Sequence, residues 1–374
     1  MSEAITIELV SKRFCCTLKI REKLTFIRGD SGVGKTEFTK RVASRTSANH
    51  IEVSNGFDIS VLTRDYFHNI YKKSLDIKNK SEITKNQKET TFLRNYWGIE
   101  DNFPLPSNTI FIIDDEDFVK SHAFAVLFEC DKSNYYIIIN RSNLPSLSYS
   151  ADEVYDFVSD GRSHTIQKYY DYKIDKNDTS IDMVFVEGIG SDFIFFRELF
   201  KEYKVFKPND FKNINGGGKD NFIDAFDKNI SEFLGKRILL IIDFSGFGSN
   251  IEDLMHIVND NNLRVVLNKN YLSFEYLLLK SHLINDKIDD FIQNNRLNYY
   301  GLEDLCTKRL KELTKDSLYS YNKGAKEFSE CYYLDCCQNR NNKGICRFRR
   351  SDFAINKVVN LIKDTDFDYL LDYL

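Results

Sequence analysis

The hydrophobic and polar positions of this chain alternate near its beginning and then form short apolar runs separated by helix-like stretches. Residues 4–10 and 14–20 alternate apolar with polar side chains, which predicts two paired strands. Leu24–Ile27 is a short apolar run of the kind found in buried strands, and Thr36–Arg45 after it has the pattern of a helix. Further apolar runs alternate with helical stretches along the chain, which predicts an α/β fold.

A glycine-rich loop connects that first buried strand to its helix. Residues 29–36 follow the pattern Gly-x4-Gly-Lys-Thr, which is the P-loop pattern. Its glycines let backbone N–H groups point at phosphates, and the positive end of the following helix favours the same charge. Lys35 is expected to reach the β- and γ-phosphates and Thr36 to bind Mg²⁺. The predicted ligand is ATP, and the predicted binding residues are Gly29, Ser31, Gly32, Gly34, Lys35 and Thr36; a glycine-rich turn without a ligand is the alternative.

A second element of a nucleotide site follows further along the chain. The continuous apolar run Thr109–Ile113 ends in the four acidic residues 114–117, which is the Walker B arrangement. Asp114 is expected to hold Mg²⁺ through its water shell, and Asp115 or Glu116 to orient the attacking water.

The third buried strand, Tyr135–Ile139, ends in Asn-Arg-Ser. Its Arg141 resembles the sensor position of AAA-like and STAND NTPases, and the resemblance implies a contact with the γ-phosphate. A surface arginine in a turn is the alternative. The Leu-Ser-Gly-Gly signature of ABC-type ATPases does not occur between the P-loop and the Walker B residues. The usual reason to expect head-to-tail nucleotide sandwiching is therefore missing.

Polar residues 159–181 predict a linker, with a domain boundary near 170–180. Beyond it, apolar strands at 183–186, 237–242 and 264–267 alternate with helical stretches, which predicts a doubly wound parallel sheet. Functional residues in such a sheet lie at the carboxyl ends of the strands. Three acids occupy or follow such ends, and clustered carboxylates are suitable ligands for Mg²⁺ in phosphoryl transfer. These acids are Glu187, Asp243 and Glu275.

Two short motifs in this half resemble the Toprim domain, the metal-binding module of topoisomerases, primases and OLD-type nucleases. Glu187-Gly188 resembles the family's Glu-Gly motif, and Asp243-x-Ser245-x-x-Gly248 resembles its Asp-x-Asp-x-x-Gly motif. Matched in this way, Glu187 is the general acid or base. The resemblance covers residues 182–285 and implies that the three acids hold Mg²⁺.

Two departures from the family pattern qualify this resemblance. Asp192 lies one residue further from Glu187 than in the common spacing, and Ser245 stands where the motif has its second acid. Either Asp243 works with Glu275 or the site is a degenerate scaffold. Ordinary acids in an unrelated α/β domain are a further alternative. The glycines at 216–218 fit a close-approach phosphate loop or a simple turn.

The C-terminal region contains four cysteines within sixteen residues. Tetrahedral thiolate ligation of Zn²⁺ would explain them, although their spacing is not a standard zinc motif; core or incidental thiols are the alternative. Neighbouring arginines and aromatic residues could hold a nucleic-acid backbone or form a solvated charged face. The terminal residues 369–374 are expected to dock on a partner. The cysteines are Cys331, Cys336, Cys337 and Cys346.

Composition limits the partners and the compartment. A net charge of −4 gives no overall attraction to nucleic acid, so such contacts require local patches. No apolar run reaches the ~18 residues of a membrane span, so no membrane partner is predicted, and Met-Ser-Glu-Ala does not resemble a signal peptide. Eight cysteines beside a P-loop indicate a reducing cytoplasm.

Together these features predict a P-loop NTPase domain (1–170), a linker (171–181), a Toprim-like domain (182–285) and a mainly helical C-terminal region (286–374). That order resembles OLD-family and related bacterial phage-defence proteins, and implies an ATPase that controls a Mg²⁺-dependent nuclease. The expected partners are a nucleic acid and a partner protein or further copies of the chain. One alternative is a nucleotide-dependent switch whose second domain binds without cleaving. Another is a small-molecule phosphoryl-transfer enzyme that uses the P-loop alone.

Overall fold

The computed structural model describes residues 4–28, 34–44, 50–80, 87–142, 144, 146–169, 180–248, 250–268, 271–299, 301–315, 321 and 355–374. The chain forms two compact units. The first contains Met1–Asp171 together with Gln293–Gly301, and the second contains Tyr172–Ile292 and Leu302–Leu374. The α/β class predicted from the sequence is confirmed, with one large mixed sheet and one parallel sheet.

The first unit is built on a nine-stranded mixed sheet in the order β4-β1-β2-β9-β8-β3-β7-β6-β5. Strands β3, β5, β6, β7 and β8 form its parallel part, and β1 pairs antiparallel with both β2 and β4. The strands are β1 (Ile5–Val10), β2 (Cys15–Ile20), β3 (Leu24–Arg28), β4 (His50–Val53), β5 (Asp58–Val61), β6 (Thr109–Asp114), β7 (Tyr135–Ile139), β8 (Val154–Asp160) and β9 (Ser163–Lys168).

Successive residues of the parallel strands enter two different hydrophobic cores, because side chains alternate across a sheet. Phe26 packs into the core that contains the buried faces of the helices α2–α4, whereas Ile27 packs into the core that contains Phe38 of α1. Both faces of these strands are therefore buried, which explains their continuous apolar sequences. The helices are α1 (Lys35–Ser44), α2 (Arg64–Lys80), α3 (Glu89–Trp97) and α4 (His122–Cys130).

The linker predicted over 159–181 is wrong in its first part. Residues 154–168 form an antiparallel hairpin of β8 and β9 that turns at Gly161 and lies inside the large sheet. Only His164 among the residues of β9 is buried, so the strand has too few apolar residues to show a strand-like pattern. Pairing with β2 and β8 forms this strand despite its polar sequence.

The second unit has a four-stranded, wholly parallel sheet in the order β11-β10-β12-β13. The strands are β10 (Met183–Val186), β11 (Lys204–Phe206), β12 (Arg237–Ile241) and β13 (Arg264–Leu267). The helices are α5 (Ser191–Leu199), α6 (Lys219–Lys228), α7 (Phe244–Phe247), α8 (Asn250–Asp260), α9 (Phe274–Lys280), α10 (Ile288–Asn295), α11 (Leu302–Thr314) and α12 (Ile355–Ile362).

Part of the end of the chain packs inside the second unit, and the expected docking of residues 369–374 on a partner stays a prediction. Leu370 and Tyr373 are buried, and the Tyr369 hydroxyl donates a hydrogen bond to the side-chain oxygen of Asn268. Helix α12 packs against α5. Leu370 and Tyr373 thus pack within their own unit, whereas Leu374 is exposed.

A short part of the C-terminal half belongs to the first unit. Gln293–Gly301, which the sequence placed with the helical C-terminal region, lies among the residues of the large sheet. Arg296 forms an ion pair with Glu22 at 2.9 Å and donates a hydrogen bond to the carbonyl oxygen of Arg21. These polar contacts involve residues far apart in sequence, and nothing in the hydrophobic pattern predicts them.

Candidate functional site

The described part of the glycine-rich motif consists of Gly34, Lys35 and Thr36. Gly34 has a φ of 98°, in the left-handed region that favours glycine, and α1 begins at the next residue, Lys35. The Gly34 carbonyl oxygen accepts the first helical hydrogen bond, from the N–H of Phe38 at 2.9 Å. The predicted ligand-binding residues Gly29, Ser31 and Gly32 lie outside the described residues.

Three strand ends meet beside this helix. Ile27 of β3 is in register with Ile139 of β7, and Ile139 is in register with Asp114 of β6. The residues that follow these strands therefore share one edge of the sheet. A cavity of about 320 Å³ opens there. It is lined by Gly34, Lys35, Thr36, Glu37, Lys40, Asp114, Asp115, Ile139, Asn140 and Arg141.

Asp114 lies against the start of α1. The hydroxyl groups of Thr36 and Thr39 are close enough to hydrogen-bond its carboxylate, and Lys35 is close enough to attract it. Burial nevertheless raises the pKa of Asp114, with the nearby Asp115 charge adding to the rise. A carboxylate destabilised in this way, with a threonine hydroxyl beside it, fits a divalent cation as a further partner.

The structure distinguishes the two candidates for orienting water. Asp115 lines the cavity, and its φ of 51° is uncommon for a residue with a side chain. Its N–H donates to the Ile139 carbonyl oxygen at 2.8 Å, which fixes this turn against β7. Glu116 instead accepts a hydrogen bond from the Arg64 N–H at 3.3 Å and is not among the residues that line the cavity.

The predicted sensor residue also reaches this cavity. Arg141 lines it, and its side chain is exposed at the carboxyl end of β7. The Arg141 carbonyl oxygen accepts a hydrogen bond from Arg28 at 3.2 Å. The neighbouring Asn140 is buried, and its side-chain oxygen accepts from the Ser142 N–H at 2.9 Å. The arginine is thus presented from a turn that hydrogen bonds hold in shape.

Sequence reasoning missed four residues that line this cavity, Ile139 and Asn140 at the end of β7 and the two α1 residues Glu37 and Lys40. Glu37 and Lys40 have a shared signal. They lie three residues apart on α1, and helical spacing places them on the same face. That periodicity is the signal that could have identified them.

In the second unit, two of the predicted acids are adjacent at neighbouring strand ends. Val186 of β10 is in register with Ile241 of β12, and the N–H of Asp243 donates to Glu187 Oε2 at 2.8 Å. Burial raises the pKa of Glu187 to about 8, and the negative charges of Asp192 and Glu303 contribute to the rise. The Asp243 hydrogen bond and Lys219 oppose it.

Gly188 is required by the position of Asp192. A Cβ atom on Gly188 would lie 1.4 Å from Asp192 Oδ2, so any side chain there would displace the carboxylate. The N–H of Phe193 donates to Asp192 Oδ1 at 2.8 Å, at the start of α5. The changed spacing from Glu187 therefore still brings Asp192 beside the Glu-Gly pair.

Ser245 forms a hydrogen bond with Asp243, the acid that precedes it in the motif. Its hydroxyl donates to Asp243 Oδ1 at 2.8 Å. The pKa of Asp243 is nevertheless well above its ordinary range, because of burial and the negative charges of Glu303, Glu187 and Glu275. Burial and these like charges therefore outweigh the hydrogen bond that Ser245 gives to Asp243.

Glu275 approaches the same place from α9. The N–H groups of Phe244 and Ser245 donate to the carbonyl oxygens of Tyr271 and Leu272, which ties the loop before α9 to the residues after Asp243. Glu275 is buried and accepts a hydrogen bond from the Tyr321 hydroxyl at 2.6 Å. Sequence reasoning missed Tyr321, and no local pattern around it indicates this role.

Glu303 is a second residue that sequence reasoning missed. It lies in the first turn of α11, which packs against α7 and α9, the helices that follow Asp243 and carry Glu275. Its negative charge contributes to the raised pKa values of Glu187 and Asp243. We call Glu187, Asp192, Asp243, Glu275 and Glu303 the acidic site.

The glycines at 216–218 form a loop that leads directly into α6. Gly218 has a φ of 91°, and a Cβ on Gly217 would lie 3.1 Å from the side chain of Ile189. The loop therefore passes close to the residues after Glu187, and glycine permits that approach. Lys219 follows, and burial lowers its pKa although Asp220 and Glu187 act in the opposite direction.

Neither site contains a closed set of metal ligands. Within the described residues, no three His, Cys, Asp or Glu side chains are grouped closely enough to hold a metal ion. The four candidate zinc ligands, Cys331, Cys336, Cys337 and Cys346, lie outside those residues. No helix in the described ranges is long and apolar enough to cross a membrane.

No protein-family model matches the chain, and none of the curated proteins matches it significantly in sequence. The geometry of the two sites is therefore the basis of the functional argument.

Proposed function

We propose that the first unit binds and hydrolyses a nucleoside triphosphate, ATP, with Mg²⁺ in the cavity beside α1. The observation that carries this proposal is the meeting of Lys35, Thr36 and Asp114 in one cavity. These residues come from the glycine-rich motif and from a strand end about 80 positions away in sequence. An ordinary glycine-rich turn gives no reason for the half-buried Asp114 carboxylate to lie against the following helix.

The chemistry of each group supports this reading. Lys35 supplies a positive charge for the β- and γ-phosphates, and Thr36 with Asp114 would hold Mg²⁺, which neutralises developing charge on the phosphates when it is bound. Asp115 faces the cavity and is the candidate for orienting the attacking water. Arg141 offers a second positive charge from the end of the neighbouring strand β7. A P-loop NTPase architecture is the corresponding fold proposal.

Lys35→Ala and Asp114→Asn test this function. Lys35→Ala should lose nucleotide affinity and hydrolysis together, whereas Asp114→Asn should lose hydrolysis more than affinity, because it disturbs the cation rather than the phosphate contacts. Binding is measured by calorimetry with MgADP, and hydrolysis by phosphate release. Lys19→Ala is the matched control, because Lys19 is an exposed lysine on β2 outside the cavity. Wild-type hydrolysis in Lys35→Ala would exclude this cavity as the site.

A second activity, cleavage of a nucleic acid under control of the ATPase, is favoured by the acidic site. The backbone N–H of Asp243 donates to the Glu187 carboxylate, and three more acids approach from α5, α9 and α11. Tyr271 is buried among the negative charges of four of these residues, and its pKa is raised by burial and by those charges. Carboxylates placed at the ends of parallel strands support the Toprim-like interpretation. Bacterial antiphage defence is the role that the resemblance to OLD-family proteins implies.

The alternative is a nucleotide-dependent switch whose second unit binds a partner or nucleic acid without cleaving it. Ser245 favours this alternative, since it occupies the place of an acid and only hydrogen-bonds Asp243. The carboxylates also do not form a closed metal-binding set within the described residues. The cleavage proposal therefore depends on the position and charge of the acids and not on a metal geometry.

The two alternatives predict different outcomes in one set of assays. A nuclease should cut single- or double-stranded DNA or RNA with Mg²⁺ or Mn²⁺, and Glu187→Ala or Asp243→Ala should abolish cutting without changing ATP hydrolysis. Lys35→Ala should change when cutting occurs. Intact substrates under every condition, with normal ATP turnover, would favour the switch. A gain of cutting in Ser245→Asp would show that the missing carboxylate had silenced the site.

A further inference from the structure

A buried imidazole lies behind the glycine-rich motif and has no role in the functions proposed above. His164 of β9 has only 8% of its surface exposed. Its Nδ1 is buried and has no hydrogen-bond partner among the described residues. An unpaired buried polar atom is unfavourable because it has lost its hydrogen bonds to water, so such atoms are rare without a specific reason.

The ring is held in place by aromatic side chains on both faces. It stacks on Phe14 with ring centroids 4.2 Å apart and on Phe157 with centroids 5.6 Å apart. The guanidinium of Arg41, on α1, covers the Phe14 ring at 5.3 Å and donates to the Ser11 hydroxyl at 2.7 Å. The stack thus joins β9 to the helix that begins at Lys35, and the ring has little freedom to turn Nδ1 towards another partner.

The unpaired nitrogen lies against the motif itself. A Cβ atom built on Gly34 would lie 2.9 Å from His164 Cε1 and 3.1 Å from its Nδ1. Only a glycine therefore leaves room for the imidazole at this position, and its φ of 98° separately requires glycine. The ring edge that carries Nδ1 is thus in close contact with the backbone at the start of α1.

We propose that His164 is a positioning residue for nucleotide binding, and that its Nδ1 gains a hydrogen bond from the main chain beside Gly34 when the nucleotide binds. The bond would hold the left-handed conformation of Gly34 and so fix the direction of the N–H groups at the helix start. Binding then forms a hydrogen bond that Nδ1 does not make within the described residues. This inference depends on the proposed nucleotide site.

Two substitutions at His164 separate the nitrogen from the stack. His164→Phe keeps an aromatic ring between Phe14 and Phe157 but removes Nδ1. His164→Asn gives up the ring but keeps a polar atom near the Nδ1 position. If the nitrogen matters, His164→Phe should weaken MgADP binding about 3- to 10-fold, as expected for one hydrogen bond, and should raise KM with little change in kcat. His164→Asn should then recover part of that affinity despite a lower melting temperature.

Nitrogen-15 NMR of histidine-labelled protein gives a second measurement that a purely structural role would not change. The chain has six histidines, and the His164 signals are those missing from the His164→Phe spectrum. Adding MgADP to the wild type should shift the Nδ1 resonance towards that of a hydrogen-bonded nitrogen. The same addition to Lys35→Ala should leave it in place.

The binding and NMR results distinguish a failure of this inference from a failure of the proposed nucleotide-binding function. A wild-type protein that binds no nucleotide overturns the proposed function, and the inference with it. The inference alone is overturned by a different set of results. In that set, the wild type binds MgADP and Lys35→Ala does not, while His164→Phe binds normally and the wild-type Nδ1 signal does not shift. A loss of affinity confined to His164→Asn would assign the ring to packing and would also overturn it.

Discussion

The acidic site should make the second unit less stable as the pH rises. Burial holds the pKa of Glu187 at about 8, against an ordinary value of 4.5, so the folded state binds this proton more tightly than the unfolded state does. The stabilisation from Glu187 is therefore complete below the unfolded pKa and is lost as the pH increases towards the folded one. Asp192 and Asp243 also have raised pKa values and act in the same direction.

The size of the effect follows from the pKa difference. Each unit of pKa difference between the folded and unfolded states corresponds to about 1.4 kcal/mol. Glu187 alone should therefore lower the free energy of unfolding by roughly 3 kcal/mol between about pH 5 and pH 7. Glu187→Gln has nearly the same shape and cannot ionise, so it should remove that part of the pH dependence. An added divalent cation should oppose the destabilisation at about pH 8, if it binds among these carboxylates.

Hydrogen exchange followed by peptide is the suitable assay, because it measures the two units separately. Peptides from β10 and β12 should lose protection as the pH rises, after correction for the intrinsic rate, and should lose less in Glu187→Gln. Trp97 is the single tryptophan, and it is buried in the first unit, where it donates to Ser74. Its fluorescence therefore provides a control on unit 1 in the same samples.

Two results would refute this reasoning. The first is an equal pH dependence in Glu187→Gln and the wild type, which would mean that Glu187 ionises freely in the folded state. The second is protection of β10 and β12 that increases between about pH 5 and pH 7. That sign requires acids whose folded pKa values are lowered, contrary to the burial of this site.

Two further predictions concern single features of the second unit and of the C-terminal region. Gly188→Ala should lower the melting temperature and displace Asp192, because its Cβ would lie 1.4 Å from Asp192 Oδ2. Adding Asp192→Ala should relieve that clash. Equal melting temperatures of Gly188→Ala and the wild type would contradict this prediction. If Cys331, Cys336, Cys337 and Cys346 bind zinc, elemental analysis of the purified protein should find about one equivalent, and chelation should lower the melting temperature. Metal-free protein would assign them to core or incidental thiols.

The sequence by itself determined the α/β class, several strand limits and most residues of the cavity beside α1. Tyr135–Ile139 and Met183–Val186 are strands with the limits that their apolar runs predict. Continuous apolar runs are reliable here because both faces of these strands are buried. Lys35, Thr36, Asp114 and Asp115 line this cavity together, and they were identifiable because the P-loop and Walker B patterns place particular residue types beside a strand end.

Only the tertiary structure decided the features that depend on contacts between distant residues. Strand β9 is polar and forms because β2 and β8 offer it hydrogen-bond partners. Glu303 belongs to the acidic site and Tyr321 donates a hydrogen bond to Glu275, but the local sequence pattern around neither residue predicts these interactions. The close approach of the His164 ring to Gly34 brings together two positions that are 130 residues apart in sequence. Local patterns record which face of an element is buried, whereas the partner of a polar side chain is chosen by the folded arrangement.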